Sequence, residues 1–208
     1  METNKKAWDE VFKEHGRVFN NVHPDVAQLA QDLQPSQRKR ILDLGSGSGR
    51  HIVYLASQGF DVYGFDYAQK GLDMTREWLD KERLSATLQQ GDMTQPLQYD
   101  TDFFDAVISI QVIHHARLET IEDIIRELAR VLKPEGEILA TVAMHKNQAT
   151  DYDEIAPNTF VPLDGWEKGL PHYFFDDEQL SKSFGAFDNQ NIYVDVTKHR
   201  AIRATLKR

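Results

Sequence analysis

The 208-residue sequence contains no cysteine. A disulfide framework, a thiolate nucleophile and a cysteine-ligated metal are therefore excluded. It has no apolar run near the roughly 18 residues that a membrane-spanning helix needs. The opening METNKKAWDE is polar where a secretory signal would carry its apolar core. The expected location is cytoplasmic, with no membrane partner. Positive charge is also in short supply. Lys and Arg number 24 against 33 Asp and Glu, a net charge of -9, so a nucleic-acid partner, which selects a basic surface, is not expected. One basic cluster does stand near the end, at Lys198, Arg200, Arg203, Lys207 and Arg208. It reads as charge protecting a solvated edge strand. No repeat or low-complexity linker divides the chain. Its 40% hydrophobic content is enough for a substantial core in a single domain.

The pattern along the chain is an alternation. Two amphipathic helices are expected near residues 4–14 and 24–33. Pro24 and Asp25 suit a first helical turn, and Gln34, Pro35 and Ser36 break the pattern. From residue 40 short apolar runs alternate with helical periods. RILDLG, FDVYGFD, SATLQQGD, FDAVISI and EILATVAM read as five strands, with KPEG as the turn before the last. Residues 50–58, 68–82 and 119–132 read as helices. FDAVISI is apolar through its centre, as a strand covered on both faces should be. This alternation predicts a parallel sheet with helices on both faces.

The alternation stops at residues 145–175, which hold Pro157, Pro162, Pro171, Gly165 and Gly169. A connection this long in a compact domain is usually functional or disordered. Its aromatic residues, Phe160, Trp166, Tyr173, Phe174 and Phe175, argue against disorder. It is read as a lid over the active site. A helix near 176–184 follows, and NIYVDVT and RAIRATLK have little between them, so they should pair as an antiparallel hairpin.

The stretch ILDLGSGSGR, residues 41–50, carries the chemistry. In open parallel sheets, ligands bind beyond the carboxyl ends of the strands, where the strand order reverses. A glycine-rich turn between strand and helix leaves backbone N–H groups free there. The dinucleotide fingerprint is G-x-G-x-x-G. Gly45 and Gly47 fit it, but the third glycine falls at Gly49 and the fingerprint position is Arg50. Asp43 precedes the turn. A carboxylate there would oppose a pyrophosphate and suits a ligand with an ammonium or sulfonium charge. Asp66 ends the second strand, 21 positions after Gly45, where an acidic side chain can accept from both ribose hydroxyls of an adenosine. That feature fits a nicotinamide dinucleotide and S-adenosylmethionine alike. Asp92 and Met93 end the third strand, where a carboxylate could accept from an adenine amino group.

In this order, ILDLGSGSG, VYGFDYA, QQGDM and FDAVISIQVIHH, followed by LKPEGEIL, resemble the class I S-adenosylmethionine-dependent methyltransferases of the small-molecule, type 11/25-like kind. The resemblance covers residues 38–144 and extends through the closing hairpin. It implies a Rossmann-like, seven-stranded, mostly parallel sheet whose last strand is antiparallel. It also implies one methyltransferase domain over residues 1–208: a helical cap (1–36), a cofactor-binding core (37–144), a lid insert (145–175) and a closing helix and hairpin (176–208). S-adenosylmethionine is the implied cofactor and S-adenosylhomocysteine its product. Asp43, Gly45, Ser46 and Gly47 would surround its methionine part. Asp66, with Tyr67 beside it, would hold the ribose, and Asp92 and Met93 the adenine. Ile110 and Gln111 would lie under the sulfonium and ribose, and Arg50 would reach the carboxylate. In the cap, Trp8, His15, Arg17, Phe19 and Asn20 are candidates to cover the cofactor.

Methyl transfer from a sulfonium is a direct displacement, so positioning and water exclusion can supply much of the catalysis. A base is needed only where the acceptor must lose a proton. His172 and His114 are the candidates, with His115 behind them. Asn158, Trp166, His172 and Tyr173 are the candidate substrate contacts. A metal site from His114, His115 and nearby acids is conceivable, since some quinone O-methylating relatives place glutamates and a histidine in this stretch. Gln111 and His114 stand where acidic residues would be expected, so no metal is expected. Two rival functions remain open, an NAD-dependent reductase and a non-catalytic cofactor-binding sensor. The G-x-G-x-G spacing and the absence of a Tyr-x-x-x-Lys pair oppose the first. The acceptor and the oligomeric state stay open.

Overall fold

The computed structural model describes residues 2–33, 40–144 and 150–207, with side chains from residue 8 onward. Gln34, Pro35 and Ser36, the first residues of the insert (145–149) and Arg208 lie outside the described residues. Helices α1 (Glu2–His15) and α2 (Pro24–Leu33) open the chain. The core then runs β1 (Arg40–Leu44), α3 (Arg50–Ser57), β2 (Asp61–Asp66), α4 (Gln69–Glu82), β3 (Thr87–Gln90), β4 (Phe104–Ile110), α5 (Leu118–Val131) and β5 (Leu132–Val142). After the insert come α6 (Asp177–Ser183), β9 (Phe187–Val194) and β10 (Arg200–Leu206).

The seven-stranded sheet has the order β3-β2-β1-β4-β5-β10-β9. Pairing is parallel from β3 to β5, and β10 runs antiparallel to both β5 and β9. The sheet is thus Rossmann-like, with one reversed strand as expected. The order reverses between β1 and β4, which opens a crevice at their carboxyl ends.

Both faces of the sheet are covered, and successive side chains point to opposite sides. Leu42, Leu44, Phe104 and Val107 join the cluster under α5 and α6, with Ile121, Ile125, Leu128 and Leu180. Ile41, Ala106 and Ile108 join the opposite cluster, under α2 and α3, with Leu29, Leu33, Ile52 and Leu55. The apolar stripe of α5 is therefore the wall of one core, and burial rather than local propensity sets its position.

Two local expectations are corrected. KPEG is not a turn preceding a strand. It lies inside β5 as an irregularity, where pairing to β4 passes from Phe104↔Leu132 to Ala106↔Glu137. Glu135 takes a positive φ of 64° there, and Lys133 pairs with Asp105 at 2.7 Å. Nor does β10 lie at an edge; it is enclosed between β5 and β9. Three cations of this region are paired. Arg203 bonds Asp32 and Glu137, Arg200 bonds Asp177 and the Phe175 carbonyl, and Lys207 donates to the Gly185 carbonyl at 2.7 Å. Their work is to fasten the closing hairpin to its neighbours.

The insert forms a small antiparallel sheet of its own, with β6 (Tyr152–Ala156), β7 (Thr159–Pro162) and β8 (His172–Tyr173) in that order. Asn158, with φ 57°, makes the β6–β7 turn. The Tyr173 amide donates to the His114 carbonyl at 2.9 Å, and the Phe175 amide to the Ala143 carbonyl at 3.1 Å. These bonds fix the insert to the segments that follow β4 and β5.

Candidate active site

A cavity of about 850 Å³ opens at the reversal of strand order. One wall is the turn after β1. Gly45 sits at φ 77°, and a Cβ there would lie 2.3 Å from the Val112 side chain. Only glycine allows the turn to pass this close to the segment after β4. Gly49, at φ 89°, begins α3 against Thr75, whose hydroxyl donates to the Gly47 carbonyl at 3.2 Å.

Asp66 stands at the tip of β2 and faces the cavity. Its Oδ2 accepts from the Gly47 amide and its Oδ1 from the Ala68 amide, both at 2.7 Å. Burial raises its pKa to about 6, although these amides and the Tyr67 amide oppose the shift. Tyr67, Asp92 and Met93 also line the cavity. Asp92 Oδ1 accepts from the amide and hydroxyl of Thr94, at 3.1 and 2.9 Å, so it serves as a turn residue as well as a wall. Ile110, the last residue of β4, and Gln111 lie on the floor. Gln111 takes φ 63°, and its side-chain amide donates to Thr197 at 3.0 Å and lies 3.3 Å from His199 Nδ1. Its side chain is thus turned toward the closing hairpin.

Asp43 does not reach the cavity wall. It is 1% exposed beneath the turn, with Oδ2 3.7 Å from His51 Nδ1. That oxygen and the buried hydroxyl of Ser46 have no hydrogen-bond partner. The His23 amide donates to His51 Nε2 at 3.4 Å, which leaves the Nδ1 proton directed toward Asp43. Burial lowers the His51 pKa against the pull of Asp43. Arg50 lines the cavity, donates to the Asn21 carbonyl at 3.4 Å and lies 5.2 Å from the Phe19 ring centre.

The N-terminal cap closes the near side. Trp8, Phe12 and Phe19 line the cavity, and the Trp8 ring lies 6.1 Å from Phe12, 6.3 Å from Phe19 and 6.2 Å from His115. His15, Arg17 and Asn20 point elsewhere. His15 stacks on Trp166 at 4.9 Å, Arg17 lies 4.1 Å over the Trp78 ring, and Asn20 bonds the Arg17 carbonyl.

The insert does border the cavity, but through other residues than those expected. Ile155, Val161, Glu167, Gly169, Leu170 and Pro171 contribute to the lining. The expected substrate contacts do not. Trp166 is 55% exposed on the outer surface, Tyr173 packs in the core at 4.6 Å from Phe175, and Asn158 is occupied in its turn. His172 is buried one layer back, with Nδ1 3.0 Å from the Leu170 carbonyl and Nε2 3.1 Å from Glu167. The apolar lid residues were hidden in sequence because a short irregular sheet has no period to reveal its inward face.

His114 is also buried, at 3% exposure, behind the wall, whereas His115 lines the cavity. Burial, with neighbouring His115, His172 and His199, holds the His114 pKa well below its ordinary value. Burial and His172 bring His115 down to about 4. Glu167 shifts downward: burial would raise it, but the bond from His172 and the nearby imidazoles outweigh that. One nitrogen each from His114, His115 and His172 lie within 4.8 Å of one another. Sequence reading also missed Thr120 and Arg117, which enter the wall from the start of α5.

A crevice at the β1/β4 reversal, with a glycine turn, an acidic residue ending β2 and an acidic residue after β3, defines a doubly wound α/β domain of the kind that takes nucleotide-like ligands at this point. Residues 42–140 match the family model described as a methyltransferase domain. A Bacillus subtilis protein named as a methyltransferase, YqeM, is 34% identical over 139 residues, covering 64% of this chain and 55% of that protein. The chain spans about half the length of the curated relatives it matches. Among solved structures, a Methanosarcina mazei S-adenosylmethionine-dependent methyltransferase superposes with a TM-score of 0.71 at 18% identity, covering 90% of this chain and 99% of that one. A Burkholderia thailandensis 1,6-didemethyltoxoflavin N1-methyltransferase, with S-adenosylhomocysteine bound, gives 0.70 at 12%, covering 98% and 87%.

Over residues 42–140 the chain is similar to the methyltransferase-domain family, and relatives over this region include proteins named as S-adenosylmethionine-dependent methyltransferases. The residues present fit S-adenosylmethionine. Gly45 leaves no room for a side chain where the turn approaches Val112, and the buried Asp43 and Ser46 oxygens lack partners beneath it. No described helix is long and apolar enough to cross a membrane.

Proposed function

We propose that this chain transfers a methyl group to a small-molecule acceptor by direct in-line displacement. The observation that carries this reading is the shape of the cavity. Its glycine turn and strand tips form one half, and a lid of Ile155, Val161, Leu170 and Pro171 with a cap of Trp8, Phe12 and Phe19 forms the other. The volume of about 850 Å³ is in the range of sites for one cofactor and one small ligand. An enclosed apolar half suits a small acceptor and not a nucleic-acid duplex, in keeping with the net charge of -9. The same charge and the absence of cysteine support a cytoplasmic setting.

S-adenosylmethionine supplies an electrophilic methyl group when bound. Asp43, through the turn of Gly45, Ser46 and Gly47, provides the negative field for its ammonium end, and Arg50 the positive charge for its carboxylate. Asp66 and Tyr67 take the ribose, Asp92 and Met93 the adenine, and Ile110 and Gln111 form the floor. Phe19 closes over the cofactor from the cap. The apolar lid and cap exclude water and hold the acceptor in line, which is the main catalytic contribution the chain makes. His115 lines the cavity, and buried His114 and His172 lie behind it rather than touch the acceptor.

The test is calorimetric titration of the purified protein with S-adenosylmethionine, S-adenosylhomocysteine and NADH, followed by transfer of a labelled methyl group to a panel of small acceptors. Binding of the two adenosyl ligands and labelled product are expected. Binding of NADH alone would overturn the reading, and cofactor binding with no turnover on any acceptor would favour a sensor.

A further inference from the structure

The histidines gathered behind the cavity make a second centre. His114 follows β4 with its ring centre 4.2 Å from that of His115, and His172 of β8 lies 5.4 Å from His114 and 4.6 Å from His115. Two separate segments, locked together by the Tyr173 amide on the His114 carbonyl, thus bring three imidazoles to one point. Glu167 reaches the same point from the lid, with Oε2 3.1 Å from His172 Nε2 and Oε1 3.8 Å from His115 Nε2.

The hydrogen bonding of this group is incomplete. His114 Nδ1 is buried without a partner, and the buried ring nitrogens of His115 face the Gln111 and Pro171 backbones without a hydrogen bond of good geometry. Buried polar atoms left unpaired are costly and call for an explanation. His172 has the opposite problem. Its Nδ1 faces the Leu170 carbonyl at 3.0 Å and its Nε2 faces the Glu167 carboxylate at 3.1 Å. Both partners are acceptors, and a neutral imidazole donates only once. Donation of the Nδ1 proton to Leu170 fixes the Nε2 lone pair toward His115 and Glu167, the orientation that a backbone carbonyl gives to metal-binding histidines. A cation at this point would satisfy the lone pairs of all three histidines and the carboxylate together.

We propose that His114, His115 and His172, with Glu167, form a binding site for a divalent transition-metal ion of the zinc class. Three imidazoles and a carboxylate are a borderline donor set, suited to zinc and its neighbours and not to magnesium, which prefers an all-oxygen shell. The nearest set of ring nitrogens lies within 4.8 Å. Zinc–nitrogen bonds of about 2.0–2.1 Å in a tetrahedron place nitrogens about 3.4 Å apart, so the rings draw together as the ion enters. His115 and Glu167 both line the cavity, so the metal stands at its wall. There an acceptor oxygen that displaced Glu167 from the ion would lose its proton to solvent more readily before methyl transfer. This last role rests on the methyltransferase reading; the metal site itself does not.

The test uses the full chain, treated with chelator and dialysed. Zinc and magnesium chloride are titrated by calorimetry, and S-adenosylhomocysteine is titrated in parallel. Cobalt(II) is added separately to read the ligand field by visible absorption. The expected result is one zinc site per chain, no comparable magnesium binding, and the intense visible bands of four-coordinate cobalt. His172→Ala and His115→Ala should each weaken zinc at least 100-fold, and Glu167→Gln 10- to 100-fold, whereas exposed His15→Ala should leave it unchanged. Circular dichroism and retained S-adenosylhomocysteine binding identify variants that remain folded. Zinc binding that survives in folded His172→Ala and His115→Ala, or no stoichiometric zinc binding to the parent protein, overturns the site. Loss of S-adenosylhomocysteine binding by the parent protein would instead strike the cofactor reading and leave the metal result standing.

Discussion

The amide of Gly47 donates to the carboxylate of Asp66 at 2.7 Å. This bond ties the turn after β1 to the tip of β2, and the other oxygen of the same carboxylate holds the Ala68 amide just before α4. One side chain therefore organises the cofactor turn and presents the acceptor proposed for the ribose. Asp66→Ala should weaken S-adenosylhomocysteine binding about 10- to 100-fold, since bonds to a charged group are each worth about 1.5–3 kcal/mol. Asp66→Asn, which keeps one acceptor oxygen, should fall between the two. Calorimetry on folded variants decides the matter, and parental affinity in Asp66→Ala would remove Asp66 from the ribose site.

The close approach of Gly45 to Val112 gives a second prediction. A Cβ at Gly45 would meet Val112 Cγ2 at 2.3 Å, and the φ of 77° adds strain of about 1 kcal/mol for any other residue. Gly45→Ala should therefore lower the melting temperature and reduce cofactor affinity. Gly45→Ala with Val112→Ala should recover the steric part of the loss and leave the backbone part. A double-mutant cycle by thermal denaturation reads the coupling. Simple additivity of the two changes would show that the contact does not limit the turn.

The two faces of the lid should behave differently. Leu170 is 4% exposed and lines the cavity, whereas Trp166 is 55% exposed and stacks on His15 outside it. With an identified acceptor, Leu170→Ala should raise its KM several-fold, and Trp166→Ala should leave both KM and kcat near parental values. The reverse pattern would mean that the acceptor enters from the outer face of the insert.

This contrast marks where sequence patterning stops being informative. The alternation of strand and helix and the acidic strand tips follow from periods and turn chemistry that act locally, so ILDLGSGSG, Asp66 and Asp92 could be read directly. KPEG looked like a turn because Pro134 and Gly136 are turn residues, but pairing to β4 on both sides of it carries the strand through. The basic residues of β10 suggested an edge because exposed charge is an edge device. Their acidic partners, Asp32, Glu137 and Asp177, come from distant segments. In the insert, aromatic character marked burial and did not say against what. Tyr173 and Phe175 enter the core, while aliphatic Leu170 and Pro171 face the cavity. The meeting of His114 and His115 with His172 depends on how β8 docks, which no local pattern encodes.

The raised pKa of Asp66 makes cofactor binding dependent on pH. Burial lifts it from 3.8 to about 6, so the folded, ligand-free protein favours the protonated carboxyl relative to the unfolded chain. The contribution of this group to stability is fully present below about pH 4 and is lost as the pH rises through 6. Ribose hydroxyls donating to Asp66 favour the ionised form and pull the pKa back down. Binding of S-adenosylhomocysteine near pH 5.5 should therefore release protons, and affinity should rise between pH 4 and 6 and level off above. The slope is at most tenfold per pH unit for one group. Titration in two buffers of different ionisation enthalpy measures the released protons directly. Asp66→Asn should abolish this release while other groups keep their own. A release that persists unchanged in the folded variant would assign the titration elsewhere, and no release in the parent protein would mean that the carboxylate is already ionised before the cofactor arrives.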